Sequence, residues 1–484
     1  MSSIAPSPLS LPPDQVAAII AHLSSVLGPH GVLTAATDKA GYLTEPRGLF
    51  PGTAPAVLRP ASTAEVALCL SACANAGLPV VPQGGNTGLV GGQVPFGAFL
   101  LSLERMDKVR AIDATDLTLT IEAGVTLHGA RAAAEEAGCL FPLSIASEGS
   151  CRIGGNLATN AGGTAVLRYG NMRELTLGLE VVLADGRVWN GLSRLRKDNT
   201  GYDLKDLFIG SEGTLGVITA AVLRLFPRPR HRTTVLAGVR DPHTVLALMR
   251  RLRAVAGDAL TGFEMMPAFG MELVLRHMPG HRRPLAGNHP FYALAELTST
   301  RAVEDLPGLA EGVLAEAFEA GEVEDAVIAA SEAQADALWR LREDLSDAQK
   351  CEGGSIKHDV SVPVSRVADF MVEAARLCEA QMPGVRVCAF GHVGDGNIHF
   401  NLSQPVDMTK AAFLESWEPF NRLVHDYVAS LGGSISAEHG IGVLKREELG
   451  LYKDKVALDL MARLKSALDP AGLLNPGKVL PPAP

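Results

Sequence analysis

The sequence lacks a paired-cysteine pattern, an apolar run long enough to span a membrane and a basic arm for a nucleic acid. Its seven cysteines (Cys69, Cys73, Cys139, Cys151, Cys351, Cys378 and Cys388) are odd in number and none has C-x-x-C spacing, which excludes a disulfide framework. They read as reduced thiols. The Ser- and Pro-rich first thirteen residues carry neither a basic nor an apolar targeting segment, so the expectation is an unexported, cytoplasmic protein. No apolar run approaches the ~18 residues that a membrane span requires. A formal net charge of -10, with no basic arm and no aromatic-studded basic patch, argues against a nucleic-acid partner. What remains is an ordinary globular composition, 47% hydrophobic and 20% charged, over 484 residues, enough for two or three domains.

One stretch concentrates chemistry. Gly391 to Asn401 reads GHVGDGNIHFN, with alternating residues around Asp395-Gly396, the signature of a tight two-residue hairpin turn. Counting outward, Gly394 faces Asn397, Val393 faces Ile398, and His392 faces His399 as a direct cross-strand pair with Cβ atoms about 5 Å apart. Two imidazoles at that spacing can chelate one ion. The period of two places Asn397, His399 and Asn401 on one side of their strand. A hairpin with two hydrogen-bonded histidines is the plain alternative, and a second polar cluster weighs against it. Ser436 to Gly442 reads SAEHGIG, where Glu438 offers a third ligand and His439 a general base. Two histidines and a carboxylate with open positions form a catalytic pattern, and one that leaves the metal unnamed.

Upstream, three glycine-rich loops follow or flank predicted strands. Pro82 feeds QGGNTGLVGGQ, which carries Gly84, Gly85, Asn86, Thr87, Gly88 and Leu89. Pro142 to Thr164 carries Ser147, Gly149, Gly154, Gly155, Asn156, Thr159, Asn160, Gly162 and Gly163. Phe208 to Thr219 carries Glu212, Gly213, Val217 and Ile218. Glycines let successive N–H groups converge on an anion, so a phosphate is the natural guest. The first loop is neither a Walker loop nor a Rossmann fingerprint. Three loops together suit one long polyphosphate ligand.

The proline-broken basic stretch Pro227 to Arg232 predicts a domain boundary. The expected division is 1–228, 229–430 and a C-terminal segment 431–484 that packs back on the first domain. The middle part alternates helices with strands suited to antiparallel pairing, an α+β layer with helices on one face. Within it a long helix running through Lys350 places Arg342 and Ser346 at i and i+4, and the next strand supplies Lys357. These groups suit a substrate carboxylate, although the residues alone favour an exposed helix face for Arg342, which Glu343 and Asp344 follow.

The three loops, GHVGDGNIHFN, SAEHGIG and the terminal DPAGLLNPGK, in that order, resemble the FAD-dependent flavoproteins of the vanillyl-alcohol oxidase and p-cresol methylhydroxylase type, above all their D-2-hydroxyglutarate dehydrogenase branch. D-lactate dehydrogenases and the glycolate oxidase flavin subunit are near relations. The resemblance implies an α+β protein with a two-part FAD-binding domain and a substrate domain built on an antiparallel sheet. It implies that the residues named in the three loops, with Asn475, bind FAD, and non-covalently, since no histidine lies between Pro82 and Gln93. It further implies His392, His399 and Glu438 as ligands of one divalent metal, commonly zinc, His439 as base, and Arg342, Ser346, Lys357 and Asn401 as substrate contacts. Ser346 stands where the branch is expected to have threonine. The implied reaction oxidises a D-2-hydroxy acid to a 2-oxo acid and passes electrons to a carrier such as electron-transfer flavoprotein or quinone; a homodimer is compatible with it. Rival readings are a D-lactate or D-malate dehydrogenase on the same scaffold, a flavin-independent metallohydrolase and a non-redox transferase.

Overall fold

A computed structural model describes residues 9–481, so the first eight residues of the Ser/Pro-rich start and the last three of the chain lie outside the described residues. The chain forms two compact units. One takes the residues up to Gly162, then Gly170–Arg228, then the chain from Glu438 onward; the other takes Gly163–Tyr169 and Pro229–Ala437. The short excursion at Gly163–Tyr169 has no counterpart in the sequence-based division. It is held by side chains: Arg168 donates through Nη1 to the Thr298 carbonyl (3.3 Å) and hydroxyl (3.0 Å). Residues 431–437 also belong with the second unit, because Ser361 and Ser434 exchange backbone hydrogen bonds of 3.0 and 2.8 Å.

The first unit holds a four-stranded mixed sheet and a five-stranded antiparallel sheet. Its helix Thr63–Asn75 begins as the sequence demands. Ser62 Oγ accepts from Glu65 N at 3.2 Å, and the Glu65 carboxylate reaches back to Ala61 N at 2.7 Å, one residue further than an ideal capping box. The following strand, Val80–Gln83, runs straight into the first glycine loop. The C-terminal segment closes on that strand. Val80 N donates to Leu473 O (2.9 Å) and Asn475 N donates to Val80 O (2.8 Å).

The second unit is organised by a seven-stranded antiparallel sheet whose middle is formed by Phe291–Ser299, Leu260–Pro267 and Arg386–His392, with Asn397–Ser403 next and Ser355–Ser361 at one edge. Helices cover both faces, which corrects the one-face expectation. Alternate residues of one strand show it: Val235 and Ala237 pack in one core with helices Pro242–Ala256 and Val367–Gln381, while Leu236 packs in another with Ala268–His277 and Glu332–Glu343. A sheet buried on both sides loses the polar alternation from which a one-sided layer is inferred.

Candidate active site

Within the first unit the three glycine loops converge. Gly84 lies so close to Gly155 that a Cβ on it would sit 3.3 Å from the Gly155 nitrogen, and a Cβ on Gly85 would overlap the Ser150 carbonyl. Gly213 faces Pro82, where a Cβ would meet the ring at 2.5 Å, and Glu212 N donates to Ala158 O at 2.8 Å. Asn86, Asn160 and Glu212 all have positive φ (56°, 51° and 52°), a conformation that turns consecutive peptide N–H groups in one direction. Their side chains are spent on structure. Asn86 Nδ2 donates to Gly41 O and Thr44 O, and Asn160 Oδ1 accepts from Arg173 N. The second loop is not wholly irregular as expected: Ile153–Ala158 forms a six-residue helix. Val217 and Ile218 continue from the third loop as a strand paired with Val182 and Val181.

A long cofactor fits this cradle. Beside Gly149 and Gly155 the space a Cβ would take is open, and buried Asn475 keeps Oδ1 without a partner while Nδ2 donates to Gly92 O (3.1 Å) and Glu212 O (2.7 Å). Glu212 does something the sequence did not reveal. Its carboxylate accepts from the N–H groups of Ile441 (2.7 Å) and Gly442 (2.8 Å), tying down the loop that begins with Glu438 and His439. Of the loop residues expected to bind FAD, Gly163 alone falls in the second unit.

In the second unit the hairpin forms with a register different from that expected. His392 faces Asn397, and His399 faces Phe390. The connection is not the two-residue Asp395-Gly396 turn but the four residues 393–396, with the N–H groups of Asp395 and Gly396 both donating to His392 O (3.3 and 3.1 Å). Gly396 takes φ +86° where its Cβ would collide with the Val362 carbonyl, so it closes the longer loop instead of completing a tight turn. A slip of two residues keeps every side chain on its face. His392 and His399 are therefore diagonal neighbours, their ring centroids 5.7 Å apart and a nitrogen of each within 4.8 Å of the other.

The same face carries the other expected groups in rows set by strand pairing. Lys357 and Cys388 flank Asn401, Asp359 and Phe390 flank His399, and Glu264 and Asn397 flank His392. The single long helix is corrected: it breaks at Asp344 into Glu332–Glu343 and Leu345–Lys350, so Arg342 and Ser346 sit on consecutive helices rather than one turn apart on one. Arg342 is not on an exposed helix face. It is buried, with its guanidinium 4.6 Å above the Phe390 ring and its Nε donating to Glu264 Oε2 at 2.6 Å. Ser346 is half-buried.

Three residues escaped sequence reasoning. Glu264, in a strand buried along its whole length, accepts from Arg342 and also from Nδ1 of His392. Burial alone would raise its carboxyl, but His392 and Arg342 hold it down at about 2. Asp359 stands 3.8 Å from His399 Nδ1 and accepts from Asn397 Nδ2 at 3.0 Å. Gln349 fixes Asn401 by accepting from its Nδ2 (3.0 Å) and donates in turn to Ser403 Oγ (3.0 Å). The available signal was a lone carboxylate in an apolar strand, LTGFEMMP, which must find a buried partner. Ala437 N donates to Asp359 O at 3.3 Å, and Glu438 and His439 follow in the chain.

Comparison with known proteins names the class first. Residues 54–191 match the FAD binding domain family, and residues 228–479 match the C-terminal domain of FAD linked oxidases. The fold is shared with p-cresol methylhydroxylase, solved with substrate bound, at a TM-score of 0.78 over 98% of this chain and 99% of that one, with 18% identity. Closer relatives narrow the class. The D-2-hydroxyglutarate dehydrogenase of Bos taurus is 43% identical over 89% of this chain and 77% of its own length. That of Xanthomonas citri is 39% identical over 88% and 89%, and a Schizosaccharomyces pombe protein provisionally named a D-lactate dehydrogenase is 37% identical over 94% and 88%. The chain belongs to the D-2-hydroxyglutarate dehydrogenase family of FAD-dependent flavoproteins, and it is an FAD-dependent dehydrogenase.

The cytoplasmic expectation is corrected. The cattle and fission-yeast relatives are named as mitochondrial, against that expectation. Among the described residues no helix is long and apolar enough to cross a membrane.

Proposed function

We propose that the chain oxidises a D-2-hydroxy acid, D-2-hydroxyglutarate foremost, to the corresponding 2-oxo acid. The observation that carries this reading is the shared face of the second-unit sheet, where two imidazoles stand beside a buried arginine, a lysine and an amide. His392, His399 and Glu438 are the residues that would hold a divalent metal, zinc by our reading, since neutral imidazoles and a carboxylate suit it. Bound FAD supplies a hydride acceptor at N5, and bound metal supplies a Lewis acid toward the hydroxyl and carboxylate of the substrate. His439 takes the hydroxyl proton as the C2 hydride leaves, so the C–O bond becomes a carbonyl with charge balanced. Asn401, held by Gln349, Ser346 and the cations Arg342 and Lys357 orient the carboxylates. Two cations favour a dicarboxylate. An electron carrier such as electron-transfer flavoprotein or quinone would be needed to accept the two electrons.

The fission-yeast relative's name keeps D-lactate as the second reading. Steady-state rates on D-lactate, D-malate and D-2-hydroxyglutarate separate the two. The proposal expects the highest kcat/KM for the five-carbon dicarboxylate; a higher value for D-lactate would transfer the assignment to it.

A further inference from the structure

Glu264 is fully buried, 0% exposed, yet it spends one oxygen on each of two side chains with different expected tasks. Oε2 accepts from Arg342 Nε at 2.6 Å, and Oε1 accepts from Nδ1 of His392. The first contact, with Phe390 beneath the guanidinium at 4.6 Å, fixes the plane of Arg342 and leaves its terminal amino groups to receive a carboxylate. The second fixes the ring of His392 with Nδ1 as donor, so Nε2 carries the lone pair, and makes that nitrogen a better ligand.

We propose that Glu264 is a positioning residue that couples the metal ligand His392 to the substrate-binding Arg342. This rests on the metal-dependent dehydrogenase reading above. A purely structural ion pair would need one partner, and a buried pair is commonly replaceable by apolar residues without loss of stability. Here one carboxylate, in a strand otherwise suited to a hydrophobe, sets the geometry of two binding functions at once. Loss of its charge should disturb both, since Arg342 takes one of its oxygens and His392 the other.

The test compares the parent holoenzyme with Glu264→Gln, which keeps the shape and removes the charge. Zinc affinity is measured by titrating chelator-treated, flavin-loaded protein, with bound flavin and thermal melting as controls for folding. The coupling predicts zinc binding weakened by about 10- to 100-fold. At saturating zinc it predicts a raised KM, because an Arg342 no longer held in plane binds the substrate carboxylate less well. Unchanged zinc affinity, or unchanged KM at saturating zinc, in a folded variant overturns the coupling alone. A parent that binds no zinc overturns the metal reading and the coupling with it. Should Glu264→Gln fail to retain flavin, Arg342→Gln replaces it: the coupling predicts a changed zinc affinity although Arg342 is no ligand, and an unchanged one overturns it.

Discussion

His439 as the proposed base and Glu264 as the proposed positioning residue would serve one reaction in different ways. His439 follows Glu438 in a loop loosened by Gly440 and Gly442, both with positive φ (78° and 52°), and Glu212 pins that loop through the N–H groups of Ile441 and Gly442. As the proposed base it has no substitute nearby in sequence. His439→Ala should lower turnover by at least about 100-fold, the lower range for loss of a general base, with bound flavin unchanged by absorbance. Near-normal turnover in the folded variant would remove the assignment. The residues expected to act were legible as types, since imidazoles, a carboxylate and permanent cations stand out in glycine-rich or alternating segments. Their partners were not. Glu264 meets His392 across 128 positions of sequence and Gln349 meets Asn401 across 52, and no local pattern encodes such contacts.

The hairpin was read with its face right and its joint wrong, and the helix behind Arg342 with its break missed. Asp395-Gly396 is the strongest short hairpin signal, yet Gly396 ends a four-residue loop and its carbonyl accepts a tertiary hydrogen bond from Val362 N at 3.1 Å. The period of two survived the slip, which is why His392 and His399 still share a face. The break at Asp344 was nearly as silent, since Arg342 to Lys350 holds no Gly or Pro and only Asp344, Ser346 and Asp347 are weak helix formers. Beyond it, Glu352 ties the helix Ala268–His277 to the strand Arg386–His392. His277 hydrogen-bonds it at 2.7 Å and Arg386 pairs with its other oxygen, and together they hold its carboxyl at about 2. A carboxyl depressed from 4.5 to about 2 stabilises the fold above its unfolded value, and that contribution is lost as pH falls toward 2. Glu352→Gln should therefore melt below the parent at neutral pH, the gap closing between about pH 5 and 2. A gap independent of pH would contradict the ion-pair account.

Across the whole chain, the ordered set of glycine loops, hairpin and terminal segment carried the family, because each demands backbone freedom or polar chemistry that an ordinary core excludes. The division into units was less visible where it depends on side chains, as in the excursion Gly163–Tyr169 held by Arg168. Compartment was not legible at all. The central claim is that one chain brings FAD and a metal-supported D-hydroxy acid site to a single reaction. The most direct measurement is the anaerobic absorbance spectrum of the purified protein before and after D-2-hydroxyglutarate, with the L-enantiomer and a chelator-treated sample alongside. The account predicts that the flavin bands bleach with the D-form only, that chelator abolishes the bleaching, and that zinc restores it. A yellow protein whose flavin stays oxidised with D-2-hydroxyglutarate in the presence of zinc would contradict it.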